Sequence, residues 1–163
     1  VLFACGLPDT ALPDRLEKGR YLVLDQVQDP GNVGTIWRTA DAFGASGLIL
    51  TGECADPFSP KVVRASMGAC FRLPVWQGNR QAVAGLLKES GIPLYATALR
   101  ADTMDVRQAA LRCAAVVIGS EGRGISEELL GLCGKTLKIP MEDKCESLNA
   151  AVAAAVVLWE GCR

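Results

Sequence analysis

The chain has 163 residues, half of them hydrophobic and 21% charged, which suits a single globular domain with a substantial core. Lys and Arg number 17 against 18 Asp and Glu, so bulk positive charge does not drive it onto nucleic acid; a local basic patch would have to. Histidine is absent, which excludes Ser-His-Asp and Cys-His catalysis and leaves Arg, Lys, Glu, Asp, Tyr, Cys or water to move protons.

Residues 1–20, with Pro8 and Pro13, are expected to form a linker or the remnant of an upstream domain, and 21–163 the folded domain. A strand is predicted at Tyr21–Asp25, whose apolar run lacks polar alternation, as in strands covered on both faces. Asp29-Pro30-Gly31-Asn32 has turn chemistry, and Asn32 is placed to cap a helix at Val33–Phe43. Arg38 within that helix has two readings. It is a solvated cation on the outer face, or it joins the helix N-terminus in holding a phosphate or sugar. Further strands are predicted at Gly47–Thr51, Phe71–Val75, Pro93–Ala98, Ala114–Gly119 and Thr136–Pro140. Between them fall helices at Pro60–Ala69, capped by Ser59, and Arg80–Ser90, capped by Asn79 and closed by Gly91. Two more are predicted at Ile125–Leu132 and Leu148–Gly161. This alternation implies an α/β fold, a mainly parallel sheet with helices on both faces.

The loop Gly119-Ser120-Glu121-Gly122-Arg123-Gly124 lets backbone approach a ligand closely. It matches neither the dinucleotide fingerprint nor a P-loop, which disfavours a nucleotide-dependent oxidoreductase. Glu121 has no helix face to explain it. The final helix is apolar all round and is expected to be buried, with Ser147 as N-cap. Asn149 in its first turn then needs a ligand or backbone partner, because an unpaired buried amide is costly. The seven cysteines are odd in number and form no C-x-x-C pair, so neither a disulfide framework nor a zinc site is encoded. No apolar run reaches the roughly 20 residues of a membrane span, so a soluble, cytoplasmic protein is expected.

Together, three segments resemble the SpoU (TrmH-like) family of RNA ribose methyltransferases, within the SPOUT class, over about residues 21–161. Asn32, Gly34, Arg38, Thr39-Ala40 and Gly44 stand in the pattern N-x-G-x-x-x-R-T-A-x-x-x-G. Gly119, Glu121-Gly122 and Gly124 fit the second motif, and Ile139-Pro140-Met141 with Ser147-Leu148-Asn149 the third. The resemblance implies a catalytic domain with a C-terminal deep trefoil knot, assembled as a homodimer whose two protomers complete each site. It implies S-adenosyl-L-methionine as methyl donor and the 2′-hydroxyl of an RNA ribose as acceptor, ribosomal RNA preferred and transfer RNA the alternative. Membrane and metal have no part. Cofactor contacts are expected from Thr97, Gly119, Gly122, Ile139, Met141, Ser147 and Leu148. Arg38, Asn32, Glu121, Ser147 and Asn149 are the expected catalytic set. Arg38 is either the base, helped by an RNA phosphate, or an orienter while water or Glu121 takes the proton; a guanidinium pKa above roughly 12 weighs on the first version. Lys61, Arg64 and Arg72, with Arg80 nearby, lie in an acid-free stretch over 57–80 and are expected to track RNA phosphates. The rival reading is a catalytically inactive RNA-binding or assembly protein on the same fold.

Overall fold

In the computed structural model, which describes residues 4–98, 103–142, 144 and 147–163, the apolar runs Tyr21–Asp25 and Gly47–Thr51 become strands buried along their whole length. The elements are β1 (Tyr21–Asp25), α1 (Pro30–Ala42), β2 (Gly47–Thr51), α2 (Pro60–Ser66), β3 (Val75–Gln77) and α3 (Arg80–Glu89). They continue with β4 (Leu94–Thr97), β5 (Met104–Asp105), β6 (Ala115–Gly119), α4 (Glu127–Leu132), β7 (Lys135–Lys138) and α5 (Ala150–Cys162). All strands pair in parallel in the order β3-β2-β1-β6-β4-β7-β5.

Side-chain alternation explains the two covered faces. Leu22 and Leu24 of β1 pack with Ile36 and Trp37 of α1, Val62 of α2 and Ala154 and Leu158 of α5. Tyr21 and Val23 point the other way, into Val83 and Leu87 of α3 and Leu129 of α4. The expected α/β architecture is therefore present. Trp37 is fully buried, donates from Nε1 to the Leu73 carbonyl at 3.0 Å and meets Phe58 edge-on. Trp37→Ala should cost about 3–5 kcal/mol of stability, measurable by urea denaturation.

Several local expectations are corrected. The strand expected at Phe71–Val75 is instead a 3₁₀ turn, Ala69–Phe71, followed by β3 at Val75–Gln77. Met67 and Gly68 both take left-handed backbone and end α2 early, and Pro74 lacks an N–H to pair. β5 has two residues, too few for a pattern to reveal. The cap of α1 is Asp29, whose Oδ1 accepts from the Asn32 backbone N–H at 2.8 Å, so the Asn32 side chain is left for other use. Ser59 flanks α2 but makes no side-chain cap bond, whereas Asn79 caps α3 as expected. α5 starts at Ala150 with Asn149 as its cap, not Ser147. Nor is α5 buried all round: Val152 and Trp159 are 49% and 57% exposed. With half-buried Ala155 and Val156 they form one i, i+3, i+4, i+7 face, because the sheet and α1 cover only the opposite side.

Residues 4–20 hold no helix, but Thr10 accepts from Gln77 N–H at 2.7 Å, Ala11 bridges Gln77 and Leu16 is buried, so part of this segment lies along the sheet edge. Among the described residues no helix is long and apolar enough to cross a membrane.

Candidate active site

In parallel sheets ligands gather at the carboxyl ends of the strands, and that is where the predicted motifs converge. The loop after β6 is a closed hairpin. Ser120 N–H donates to Gly124 O at 3.0 Å, Gly124 N–H to Ser120 O at 2.8 Å, and Arg123 N–H to Ser120 Oγ at 3.1 Å. Gly119 starts it under strict packing, since a Cβ there would lie 2.3 Å from the Gly124 carbonyl carbon. Gly119→Ala should therefore displace the hairpin, as faster hydrogen exchange over residues 119–126 would report.

Glu121 sits at the hairpin tip. Its Oε1 accepts from Asn32 Nδ2 at 3.2 Å, from Asn149 Nδ2 and from the Ala150 backbone N–H at 3.4 Å. Asn149 Nδ2 also donates to Asn32 Oδ1 at 3.1 Å, while its Oδ1 caps α5 by accepting from the N–H groups of Ala151 and Val152. The carboxylate thus joins the first turns of α1 and α5, whose free N–H groups favour an anion. Asn149 is exposed rather than buried, and its amide is fully used.

Two cavities flank this cluster. One of about 410 Å³ is lined by Thr97, Gly119, Glu121, Ile139, Met141, Ser147 and Leu148 among others, which gathers nearly all the residues expected at the cofactor. Thr97 is fixed by its hydroxyl donating to Val117 O at 2.8 Å. Gly122, expected with them, falls instead on a second cavity of about 210 Å³, with Gln26, Asp29, Asn32 and Arg123. Ser120, Glu121, Arg123 and Ala150 border both.

Arg38 stands apart. It is exposed, lines neither cavity, and makes no hydrogen bond or ion pair among the described residues. The expected basic face is divided. Lys61 and Arg64 are exposed on α2 without ion pairs among the described residues, but Arg72 is held by Asp41 through Nε at 2.9 Å and Nη2 at 2.6 Å. Arg80 is no surface cation at all. It binds Asp25 and reaches Glu128 at 3.1 Å.

Sequence reasoning missed Asp25. Its side chain is fully buried; Oδ1 accepts from Arg80 Nε at 3.0 Å and Oδ2 from Ser126 N–H at 2.7 Å. A charged residue closing an otherwise apolar strand was the available signal. Burial alone would lower the Arg80 pKa, but the hydrogen bonds and charges of Asp25 and Glu128 outweigh it and raise it. Burial pushes the Cys133 thiol up to about 12, with the Asp25 charge adding to the shift, and it also raises Cys54; neither is a ready nucleophile. Cys145 and Glu146 lie outside the described residues.

The sequence profile of the SpoU rRNA Methylase family matches residues 19–159. An uncharacterised tRNA/rRNA methyltransferase of Synechocystis is 43% identical over 145 residues, covering 87% of this chain and 52% of that protein. The 23S rRNA (guanosine(2553)-2′-O)-methyltransferase RlmP of Bacillus subtilis is 36% identical over 157 residues, covering 95% of this chain and 61% of the relative. Among solved structures, the AdoMet-bound rRNA methyltransferase of Sinorhizobium meliloti superposes with a TM-score of 0.84 at 39% identity, covering 90% of this chain and 57% of that one. The chain thus spans between half and two thirds of the length of these relatives.

Proposed function

Because the chain belongs to the SpoU rRNA Methylase family, we propose that it is the catalytic portion of an S-adenosyl-L-methionine-dependent enzyme that methylates the 2′-hydroxyl of an RNA ribose. The observation that carries this reading is the Asn32–Glu121–Asn149 cluster standing between two cavities, with Glu121 bordering both. Methyl transfer needs two reactants aligned across such a boundary. The α/β fold is the one expected of the SPOUT class; the trefoil knot, through which the third motif would reach the cofactor, belongs to the proposal.

The larger cavity fits the cofactor. Ile118, Leu137, Ile139 and Ala153 offer apolar walls to a purine, and Gly119 presents backbone where a Cβ has no room. The sulfonium supplies an activated methyl group, so the protein must orient the acceptor and accept one proton. Thr97, Ile139, Met141 and Leu148 hold the donor. Asn32 and Asn149 fix Glu121, and Ser147, which lines the larger cavity, would contact the ribose from the donor's side. Glu121 Oε1 already accepts three hydrogen bonds, so its first task is organisation. Of the two roles for Arg38, the high pKa of a guanidinium favours the orienter, reaching a neighbouring protomer's site and leaving the proton to water or Glu121.

A homodimer follows from the same reading. The exposed apolar face of α5 ends in Trp159, which meets Phe43 edge-on at 6.0 Å, and a second copy of this chain would cover it. Ribosomal RNA in the cytoplasm is the proposed substrate, supported by the Bacillus relative, a 23S rRNA 2′-O-methyltransferase. Lys61 and Arg64 would meet its phosphates. Lys61→Glu with Arg64→Glu should weaken RNA binding several-fold and flatten its salt dependence by about two counterions' worth of slope, read by filter binding across salt concentrations.

Calorimetric titration with S-adenosylhomocysteine, followed by transfer of labelled methyl groups to ribosomal RNA and ribose-methylation mapping, tests the proposal. Binding and a single methylated ribose are expected. No binding would sink it, and binding without transfer to ribosomal or transfer RNA would favour the inactive RNA-binding reading.

A further inference from the structure

We infer that Asp25 and Arg80 are positioning residues for Glu121, clamping the glycine loop from behind the site; the catalytic consequence rests on the function proposed above. Neither residue lines either cavity. Both nonetheless govern where the loop can stand.

Asp25 grips the loop at its two ends. In the β1–β6 ladder it is the register partner of Gly119, where the loop begins. Its Oδ2 accepts the N–H of Ser126, where the loop ends, at 2.7 Å. The hairpin between these anchors is closed by its own Ser120–Gly124 bonds, so it moves as a unit. Its attitude is therefore set by the anchors, and Glu121 at the tip is carried with them. A shift of about 1 Å at Ser126 would stretch the Asn32–Glu121 bond of 3.2 Å beyond hydrogen-bond range.

Arg80 completes the clamp. Its Nε and Nη2 hold Asp25 Oδ1 at 3.0 and 2.9 Å, and its Nη1 reaches Glu128 of α4 at 3.1 Å. Room for the guanidinium comes from Gly52, where a Cβ would lie 2.6 Å from Nη2. α4, which follows Ser126 directly, is thus tied at two points. An apolar pair of equal volume would hold buried elements together at least as well as an ion pair does. It would not fix a backbone N–H in one place. That difference is what assigns these charges to positioning rather than to stability alone.

Asp25→Asn and Arg80→Lys separate the two roles in the full chain. Asparagine opposes an NH₂ to either Arg80 or the Ser126 N–H; lysine keeps the charge but loses the paired grip and the reach to Glu128. Hydrogen exchange followed by mass spectrometry should show the 119–126 segment exchanging about ten-fold faster in both variants, with β2 and α2 unchanged. The kcat should fall about ten-fold while the KM for RNA holds, because neither side chain lines a cavity. Unchanged loop exchange in a folded variant, or acceleration spread evenly over the molecule, would overturn the clamp. If Asp25→Asn does not fold, Arg80→Lys must carry the same loop-local signature. If the wild-type chain binds no S-adenosylhomocysteine, the proposed function fails, yet loop exchange still decides the clamp.

Discussion

Glu121→Ala should reduce methyl transfer by about 100-fold or more, whereas Glu121→Gln should retain most of the architecture and lose about ten-fold or less. The two variants differ in one respect that the geometry makes decisive. Glutamine keeps an oxygen that can turn into the Oε1 position and go on accepting from Asn32, Asn149 and the Ala150 N–H. Alanine leaves two amides and a helix N–H without their acceptor, at about 1–3 kcal/mol for each group that water does not reach. Glu121 is exposed, so solvent recovers part of that and the lower end of the range applies. The first turn of α5 then loosens, and Ser147 and Leu148 beside it lose their place along the larger cavity. Single-turnover methylation of ribosomal RNA by both variants, with cofactor-analogue affinity measured in parallel, checks this. A glutamine variant as inactive as the alanine one would mean that the carboxylate itself takes the ribose proton, at Oε2.

The sheet and most helices were legible in the sequence because the signals are local. The runs of β1 and β2 mark buried strands with the right ends, and Asn79 and Gly91 bracket α3 as turn chemistry requires. What was not legible is what several local rules permit at once. Asp29 and Asn32 are both good N-caps three residues apart, as are Ser147 and Asn149 two apart. Pro30 at the first helical position favours Asp29 as the cap, and Glu121 then takes the Asn32 amide so freed, while Asn149 both caps α5 and donates to Glu121. Arg72 and Arg80 looked alike in a run without acids, yet their partners Asp41, Asp25 and Glu128 come from distant segments. Charge read along a chain does not show charge paired across a fold. The same holds for α5: uniform apolarity signals burial, but it does not say whether sheet, neighbouring helix or a second chain provides it.

That last point leads to the strongest expectation for Arg38. Arg38→Ala should lower kcat by at least about 100-fold and leave S-adenosylhomocysteine affinity unchanged, since Arg38 borders neither cavity. On α1 it shares an exposed face with Thr35 and Ala42, away from Asn32 of the same helix. Rotation by six residues turns it roughly 120° from Asn32, so within one chain the two do not address one substrate. In the homodimer proposed above, built on the apolar face of α5, Arg38 of one copy is taken to serve the site of the other. Mixing inactive Arg38→Ala chains with inactive Glu121→Ala chains then has a definite outcome. In a mixed dimer one site pairs an intact Glu121 cluster with an intact Arg38, and the other site has neither. Random pairing makes about half the dimers mixed, each with one good site of two, so about a quarter of wild-type activity should return. If Arg38 served the cluster of its own chain, every site in every dimer would lack one of the two residues and the mixture would stay inactive. Co-expression of two differently tagged variants, purified through both tags, measures the mixed dimer alone, where about half of wild-type activity is expected.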